Sequence, residues 1–275
     1  MNVLYCGDKN IEDGLVISVL SLMKHASEPL NIFVMTMDLT LDTGHILPVS
    51  PGTVRYLDGR LKKQNEESSA ALIDATELFR AAPPLANMET RFTPCCMLRL
   101  YADQVPKLPD RILYLDNDVV CRKEFGGFYH QELSNYEIAG VPDYYGKWFF
   151  RKNLFHMDYL NSGVLLLNLA CIRKTGLFAR CRALCSEKKM FMPDQSAINQ
   201  LAVQKKLCSR IYNEQRRLHG DTVFQHFTTS FRFFPWLHTL TVKPWQIDQV
   251  HKKLKLHEYD DILMEYTAIR AEMKG

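Results

Sequence analysis

ILYLDNDVV, residues 112–120, is an apolar run that ends in two carboxylates one residue apart. Residues Ile112–Leu115 read as a buried strand. Carboxylates beside a buried strand are costly unless something compensates them. A divalent cation is the usual compensation, because hard cations prefer oxygen ligands. Alternate residues of an extended segment point to the same side. Asp116 and Asp118 can therefore close on one ion while Asn117 points elsewhere. In open α/β sheets, ligands bind outside the carboxyl ends of the strands. The stretch thus points to metal-assisted chemistry on a phosphorylated substrate.

Working outward, Val3–Cys6 reads as a first strand running into the turn Gly7-Asp8-Lys9-Asn10. Residues 12–25 carry Leu15, Val19, Leu22 and Met23 at helical spacing. Leu30–Thr36 and Thr53–Leu57 read as further strands, and residues 62–82 as a helix or a loop. Residues 94–104 suit a helix with Pro94 at its first position. Tyr136–Val141 and Tyr159–Leu167 read as strands. Residues 169–189 read as one helix, and Asp194–Val203 as another with Asp194 near its N-cap. Arg210–Tyr212 and Val223–Phe227 read as strands, and 247–273 as a closing amphipathic helix. Strands alternating with helices predict an α/β fold, Rossmann-like in its first half.

The 275 residues suffice for one large α/β domain, and 47% hydrophobic with 24% charged residues is an ordinary globular balance. A formal net charge of +3 is too small to argue for nucleic acid. None of the eight cysteines forms a CxxC pair, so a zinc site is not expected. No apolar stretch reaches the length of a membrane span, and no signal peptide opens the chain. Reduced thiols in a cytoplasmic protein are the expectation. No GxGxxG or P-loop string is present, which disfavours a nicotinamide enzyme or an ATPase.

A third metal ligand is expected from His226, which closes the apolar strand VFQHF (223–227). Taken alone, a histidine there is as a rule a core residue bonded to a carbonyl. Two carboxylates with an imidazole suit Mn²⁺ better than Mg²⁺. Asp8 and Asn10 can read a base or ribose edge, or form a plain Asx turn. Asn161, Asp194 and Gln195 offer short amides and carboxylates for sugar hydroxyls, or merely a turn and a cap. Lys243, in Lys243-Pro244-Trp245, can meet a phosphate as a point charge.

Six strings occur in order: CGDKN (6–10), LDND (115–118), LNSGVLLLN (160–168), PDQSAIN (193–199), HF (226–227) and KPW (243–245). This ordered set resembles the retaining glycosyltransferases of family 8, which include glycogenin and bacterial lipopolysaccharide galactosyl- and glucosyltransferases. The resemblance runs from Val3 to Trp245. It implies a single GT-A domain over residues 1–246 with a mixed central sheet, followed by a helical tail over 247–275. It also implies Mn²⁺, with Mg²⁺ as the alternative, and a UDP-glucose or UDP-galactose donor. The acceptor would be a saccharide or glycolipid, reached with at most peripheral contact at the inner membrane face. Carried over by position, Asp116, Asp118 and His226 become the metal ligands. Asp8 and Asn10 hold the uridine end, Arg99 contacts donor sugar or phosphate, and Lys243 holds the diphosphate. Asp143, Asn161, Asp194 and Gln195 surround the donor sugar, and Asn117 counts with the donor-binding residues. Gln195, an amide, is a poor nucleophile, so front-face attack is expected, with Asp194 the alternative nucleophile.

Two departures stand out. The short glycine-containing segment that joins the metal histidine to KPW in relatives is replaced by TTSFRFFPWLHTLTV (228–242). The long basic tail of some relatives is reduced to His251-Lys252-Lys253 and Lys255. The aromatic stretches Tyr144–Phe150 and Phe231–Trp236 suggest an acceptor platform or simple packing. Two other readings compete. DxDx(V) also fits a haloacid-dehalogenase-type phosphatase with Asp116 phosphorylated and Asp260-Asp261 as its acidic pair. A non-catalytic sugar-nucleotide binder is the other.

Overall fold

The computed structural model describes residues 1–42, 44–89, 94–144, 158–232 and 238–272. The chain opens with β1 (Asn2–Cys6), α1 (Glu12–His25) and β2 (Asn31–Thr36). A small hairpin, β3 (Leu39–Leu41) and β4 (Gly44–Ile46), leads to α2 (Pro51–Gln64), β5 (Ser69–Asp74) and α3 (Thr76–Ala81). A 3₁₀ helix, Pro94–Gln104, precedes β6 (Arg111–Leu115) and β7 (Val119–Cys121). Then come α4 (Gly126–Tyr129), β8 (Ile138–Pro142) and β9 (Leu160–Asn168). Helices α5 (Leu169–Thr175), α6 (Leu177–Glu187) and α7 (Pro193–Leu201) lead to β10 (Lys205–Leu207) and β11 (Phe224–His226). Strands β12 (Ser230–Arg232) and β13 (His238–Leu240) pair with each other, and α8 (Asp260–Glu272) closes the described chain.

The central sheet has seven strands in the order β10-β8-β9-β6-β1-β2-β5. Strand β9 runs against its neighbours β6 and β8, and the remaining pairings are parallel. This is the mixed sheet expected from the sequence. Alternation of side chains splits the core into two layers. Val3, Tyr5, Leu113 and Leu115 pack toward α1, α2 and α8, while Leu4, Ile112 and Tyr114 pack toward the 3₁₀ helix, α5 and α6. Helix α8 folds back on α1 through the Lys24–Asp261 and Arg270–Asp13 ion pairs. Among the described residues no helix is long and apolar enough to cross a membrane.

Several local expectations are corrected. Thr53–Leu57 is not a strand but the first half of α2. Its short alternation is ambiguous, and the period is settled by burial of Val54, Leu57 and Leu61 on one face. Ser50 caps α2, accepting from the Gly52 N–H at 3.1 Å, with Pro51 at the first helical position. Ser50→Ala should therefore cost about 1 kcal/mol. A urea midpoint equal to wild type, at equal slope, would contradict that.

The single helix expected over 169–189 is two helices. Gly176 breaks it with φ of +67°, a left-handed cap that glycine adopts without strain. Arg210–Tyr212 is a 3₁₀ turn, not a strand. Residues 62–82 contain β5, a half-exposed edge strand beside β2 whose alanines hide the strand signal. Asp194 lies in the first turn of α7, but Met192 occupies the cap and Asp194 turns to an arginine instead.

Candidate functional site

Strand β1 has β2 on one side and β6 on the other, so the chain order reverses between β1 and β6. Such a reversal opens a crevice at the strands' carboxyl ends. Gly7–Ile11 and Asp116–Asp118 both sit there, because Val3 and Leu4 pair in parallel with Leu113 and Tyr114. The Asp116 N–H donates to the Gly163 carbonyl at 2.8 Å, and the Asp118 carbonyl accepts from the Phe227 N–H at 3.0 Å. Strand β11 pairs antiparallel with β7, placing His226 opposite Val119. The turn and the histidine, over a hundred residues apart in the chain, are thus held by backbone bonds.

The expected ligand atoms converge. Oxygens of Asp116 and Asp118 and a nitrogen of His226 all lie within 4.8 Å of one another. His226 Nε2 is 3.2 Å from Asp118 Oδ1 and 3.7 Å from Asp116 Oδ2. Its Nδ1 lies 3.2 Å from the Asn213 Oδ1. That oxygen can only accept, so Nδ1 carries a proton and Nε2 is the nitrogen turned to the carboxylates. The donor set, two carboxylates and one imidazole, therefore fits a divalent ion such as Mn²⁺.

Cationic side chains of the protein partly offset the carboxylates. Lys243 Nζ pairs with Asp118 and donates to the Phe227 carbonyl at 3.1 Å. Burial opposes the Asp118 charge, yet Lys243 and then His226 hold its carboxyl well below the usual carboxylate range. Asp116 Oδ1 accepts from Arg99 Nη2 at 2.9 Å and from the Tyr114 hydroxyl at 2.7 Å. Arg99, 4% exposed, also donates to the Ser162 carbonyl at 2.6 Å and pairs through Nε with Asp194 at 3.2 Å. Burial works against the Arg99 charge, but Asp116 and Asp194 outweigh it and keep the guanidinium ionised. Burial pushes the Asp194 carboxyl above its ordinary range, against the pull of Arg99.

Asp143, Asn161 and Gln195 form the next group. Asn161 Nδ2 donates to Asp143 Oδ2 at 2.9 Å, and Gln195 Nε2 donates to the same oxygen at 3.1 Å. Gln195 Oε1 accepts from the Ser162 N–H at 2.9 Å. Asn213 Nδ2 donates to Asn161 Oδ1 at 2.9 Å. Asn213, Ser162 and Tyr114 were not singled out from the sequence. Only a polar residue in the run Arg210–Gln215, facing a buried strand, could have hinted at Asn213.

Gly163 shows why the LNSG string needs its glycine. A Cβ there would lie 2.1 Å from His226 Cε1. Gly163→Ala should displace the imidazole and weaken divalent-ion binding by about 10–100-fold, the scale of lost ligand positioning. Mn²⁺ titration by electron paramagnetic resonance tests this, and an unchanged affinity would refute it.

Asn117 packs against Gly14 of α1 beside Trp245. Asp8 forms the Asx turn, accepting from the Asn10 N–H at 2.9 Å, while both residues remain at the crevice. Of the aromatic stretches, 145–150 and 233–236 lie outside the described residues; Tyr144 is within them, with Arg216 4.3 Å above its ring. Asp260, the supposed acidic partner of a phosphatase, pairs with His251 and His257, and Asp261 with Lys24. Lys24 lies ten residues along α1 from Gly14, roughly 15 Å of helix rise. The acidic pair of the phosphatase reading is therefore not at Asp116.

The model of glycosyl transferase family 8 matches residues 2–246. The chain is 24% identical over 308 residues to the lipopolysaccharide glucosyltransferase WaaO of Escherichia coli K12, covering 94% of this chain and 87% of that one. It is 25% identical over 299 residues to a lipopolysaccharide 1,2-glucosyltransferase of Escherichia coli, covering 94% and 84%. Its fold matches the crystal structure of an active-site mutant of LgtC with a TM-score of 0.68 at 16% identity, covering 98% and 95%. It likewise matches the galactosyltransferase LgtC in complex with donor and acceptor sugar analogues, with a TM-score of 0.67 at 16% identity, covering 96% of each chain. The fold is the expected GT-A type.

Proposed function

We propose, from the premise that this chain belongs to glycosyl transferase family 8, that it moves glucose or galactose from a UDP-sugar to a saccharide or glycolipid acceptor with retention at the anomeric carbon. The observation that carries this reading is the convergence of Asp116, Asp118 and His226 at the β1–β6 crevice. These three residues would hold Mn²⁺, or Mg²⁺. Bound there, the ion would neutralise the departing diphosphate as a Lewis acid. Lys243, beside Asp118 and half-buried, supplies a fixed positive charge for the same group. Asp8 and Asn10 meet the uridine end. Asn161, Asp143 and Gln195 hold the sugar hydroxyls from a hydrogen-bonded platform, and Arg99, paired with Asp116 and Asp194, contacts the donor sugar or phosphate. Residues 1–246 form the transferase domain, and 247–275 its helical tail. All eight cysteines are free thiols, which supports a cytoplasmic setting with at most peripheral membrane contact.

The bond from the anomeric carbon to the diphosphate oxygen breaks with oxocarbenium character. The acceptor hydroxyl attacks from the same face, and its proton passes to the leaving phosphate oxygen. A covalent route would need a free carboxylate. Asp194 is buried and paired with Arg99, which favours the front-face route. Gln195→Ala should then lower turnover about 10–100-fold by loosening donor position. Intact-mass spectra should show no added hexose; a hexosyl adduct on Asp194 would overturn the front-face route.

Donor hydrolysis across a panel of nucleotide sugars tests the function itself. UDP release from UDP-glucose or UDP-galactose, dependent on added Mn²⁺, is the expected result. Phosphatase activity in its place, with no nucleotide release, would reject the transferase.

A further inference from the structure

Asn213 is 1% exposed, lies outside every string that carries the family resemblance, and touches no expected ligand atom of the metal site. Its neighbours nonetheless fix its amide in one orientation. The Gly163 backbone N–H, a donor without ambiguity, donates to Asn161 Oδ1 at 3.0 Å. That sets Asn161 with its Nδ2 toward Asp143. Asn161 Oδ1 also receives Asn213 Nδ2 at 2.9 Å, which turns Asn213 Oδ1 to His226 Nδ1. The imidazole must then keep its proton on Nδ1 and offer Nε2 to the cation. A backbone N–H thus specifies a histidine tautomer through two side-chain amides. The same amides run on through Asp143 to Gln195.

We propose that Asn213 is a positioning residue that selects the His226 tautomer for metal binding and joins the metal ligand to the Asn161–Asp143–Gln195 platform. The inference rests on the Mn²⁺ reading above. It has a chemical signature: His226 needs an acceptor at position 213, whereas the platform needs a donor there. Partners of this kind typically change metal affinity by about 10–100-fold.

Three variants of the full chain separate these roles by Mn²⁺ titration and by donor kinetics. Asn213→Ala removes acceptor and donor, and should weaken Mn²⁺ binding about 10–100-fold. Asn213→Asp keeps an acceptor for Nδ1–H but cannot donate to Asn161, so Mn²⁺ affinity should return to within a few-fold of wild type. Its KM for the donor should stay raised, because the platform link is lost. Asp118→Asn is the control for the site. If Asp118→Asn abolishes Mn²⁺ binding but Asn213→Ala leaves it at the wild-type value, the positioning role fails and the metal reading stands. If Asn213→Asp loses Mn²⁺ as fully as Asn213→Ala, with both folded by circular dichroism, the tautomer argument is overturned. If wild type binds no Mn²⁺, or Asp118→Asn binds it unchanged, the metal reading fails and this inference with it.

Discussion

Asp118→Asn is expected to lower Mn²⁺-dependent UDP release by about a hundred- to a thousandfold, while the protein stays folded. The magnitude follows from the several kcal/mol a bound ion contributes to charge stabilisation, at tenfold per 1.4 kcal/mol. Asp118 is the better choice than Asp116 because its carboxylate faces both His226 and Lys243. Lys243 and His226 hold it ionised far below neutral pH, so it is ready to bind a cation throughout the physiological range. The amide of Asn keeps the volume but loses the charge. Turnover within tenfold of wild type at saturating Mn²⁺ would sink the assignment.

Arg99→Met is expected to destabilise the fold by about 3–5 kcal/mol, the usual cost of removing one partner from a buried ion pair. Asp116, Asp194 and the Ser162 carbonyl all lose the guanidinium, and Asp116 keeps the Tyr114 hydroxyl. The melting temperature should fall by on the order of 10 °C. Lysine should not rescue it, since one ammonium cannot span the same partners. The pH dependence has a definite sign. Burial already raises the Asp194 carboxyl, and Arg99 pulls it down. Without Arg99 the folded state binds protons more tightly than the unfolded chain, so the variant gains stability relative to wild type as pH falls through the raised Asp194 range. A deficit that stays constant or grows on acidification would show that lost packing, not charge, is responsible.

How far these features were legible depends on the range over which they act. LDND announces itself because strand and carboxylates are adjacent in sequence, and the sheet around β6 follows from apolar runs of ordinary length. His226 is legible only with the ordered strings, since a lone histidine on a buried strand has a commoner explanation. Asn213 is illegible because its role lies in partners 13 and 52 residues away. Asn117 shares the turn with both aspartates yet packs on α1, as strand alternation implies. Within α2, Thr53–Leu57 carries an alternation that mimics a strand, and two alanines hide the strand signal of β5 at the sheet edge. In each case a short window lacked the contacts that decide between periods.

The Lys243 ammonium beside Asp118 is an internal rival to any incoming cation. On the proposed function, metal binding would have to break an ion pair that already satisfies the carboxylate, so metal alone would bind below the affinity its ligands would otherwise give. A diphosphate that arrives with the metal offers the evicted ammonium a new anion. The two bind better together than apart, and by reciprocity each tightens the other by the same factor. On the proposed function, the chain would thereby favour the metal–nucleotide complex over free metal, and after transfer it would release the ion most readily once the nucleotide departs.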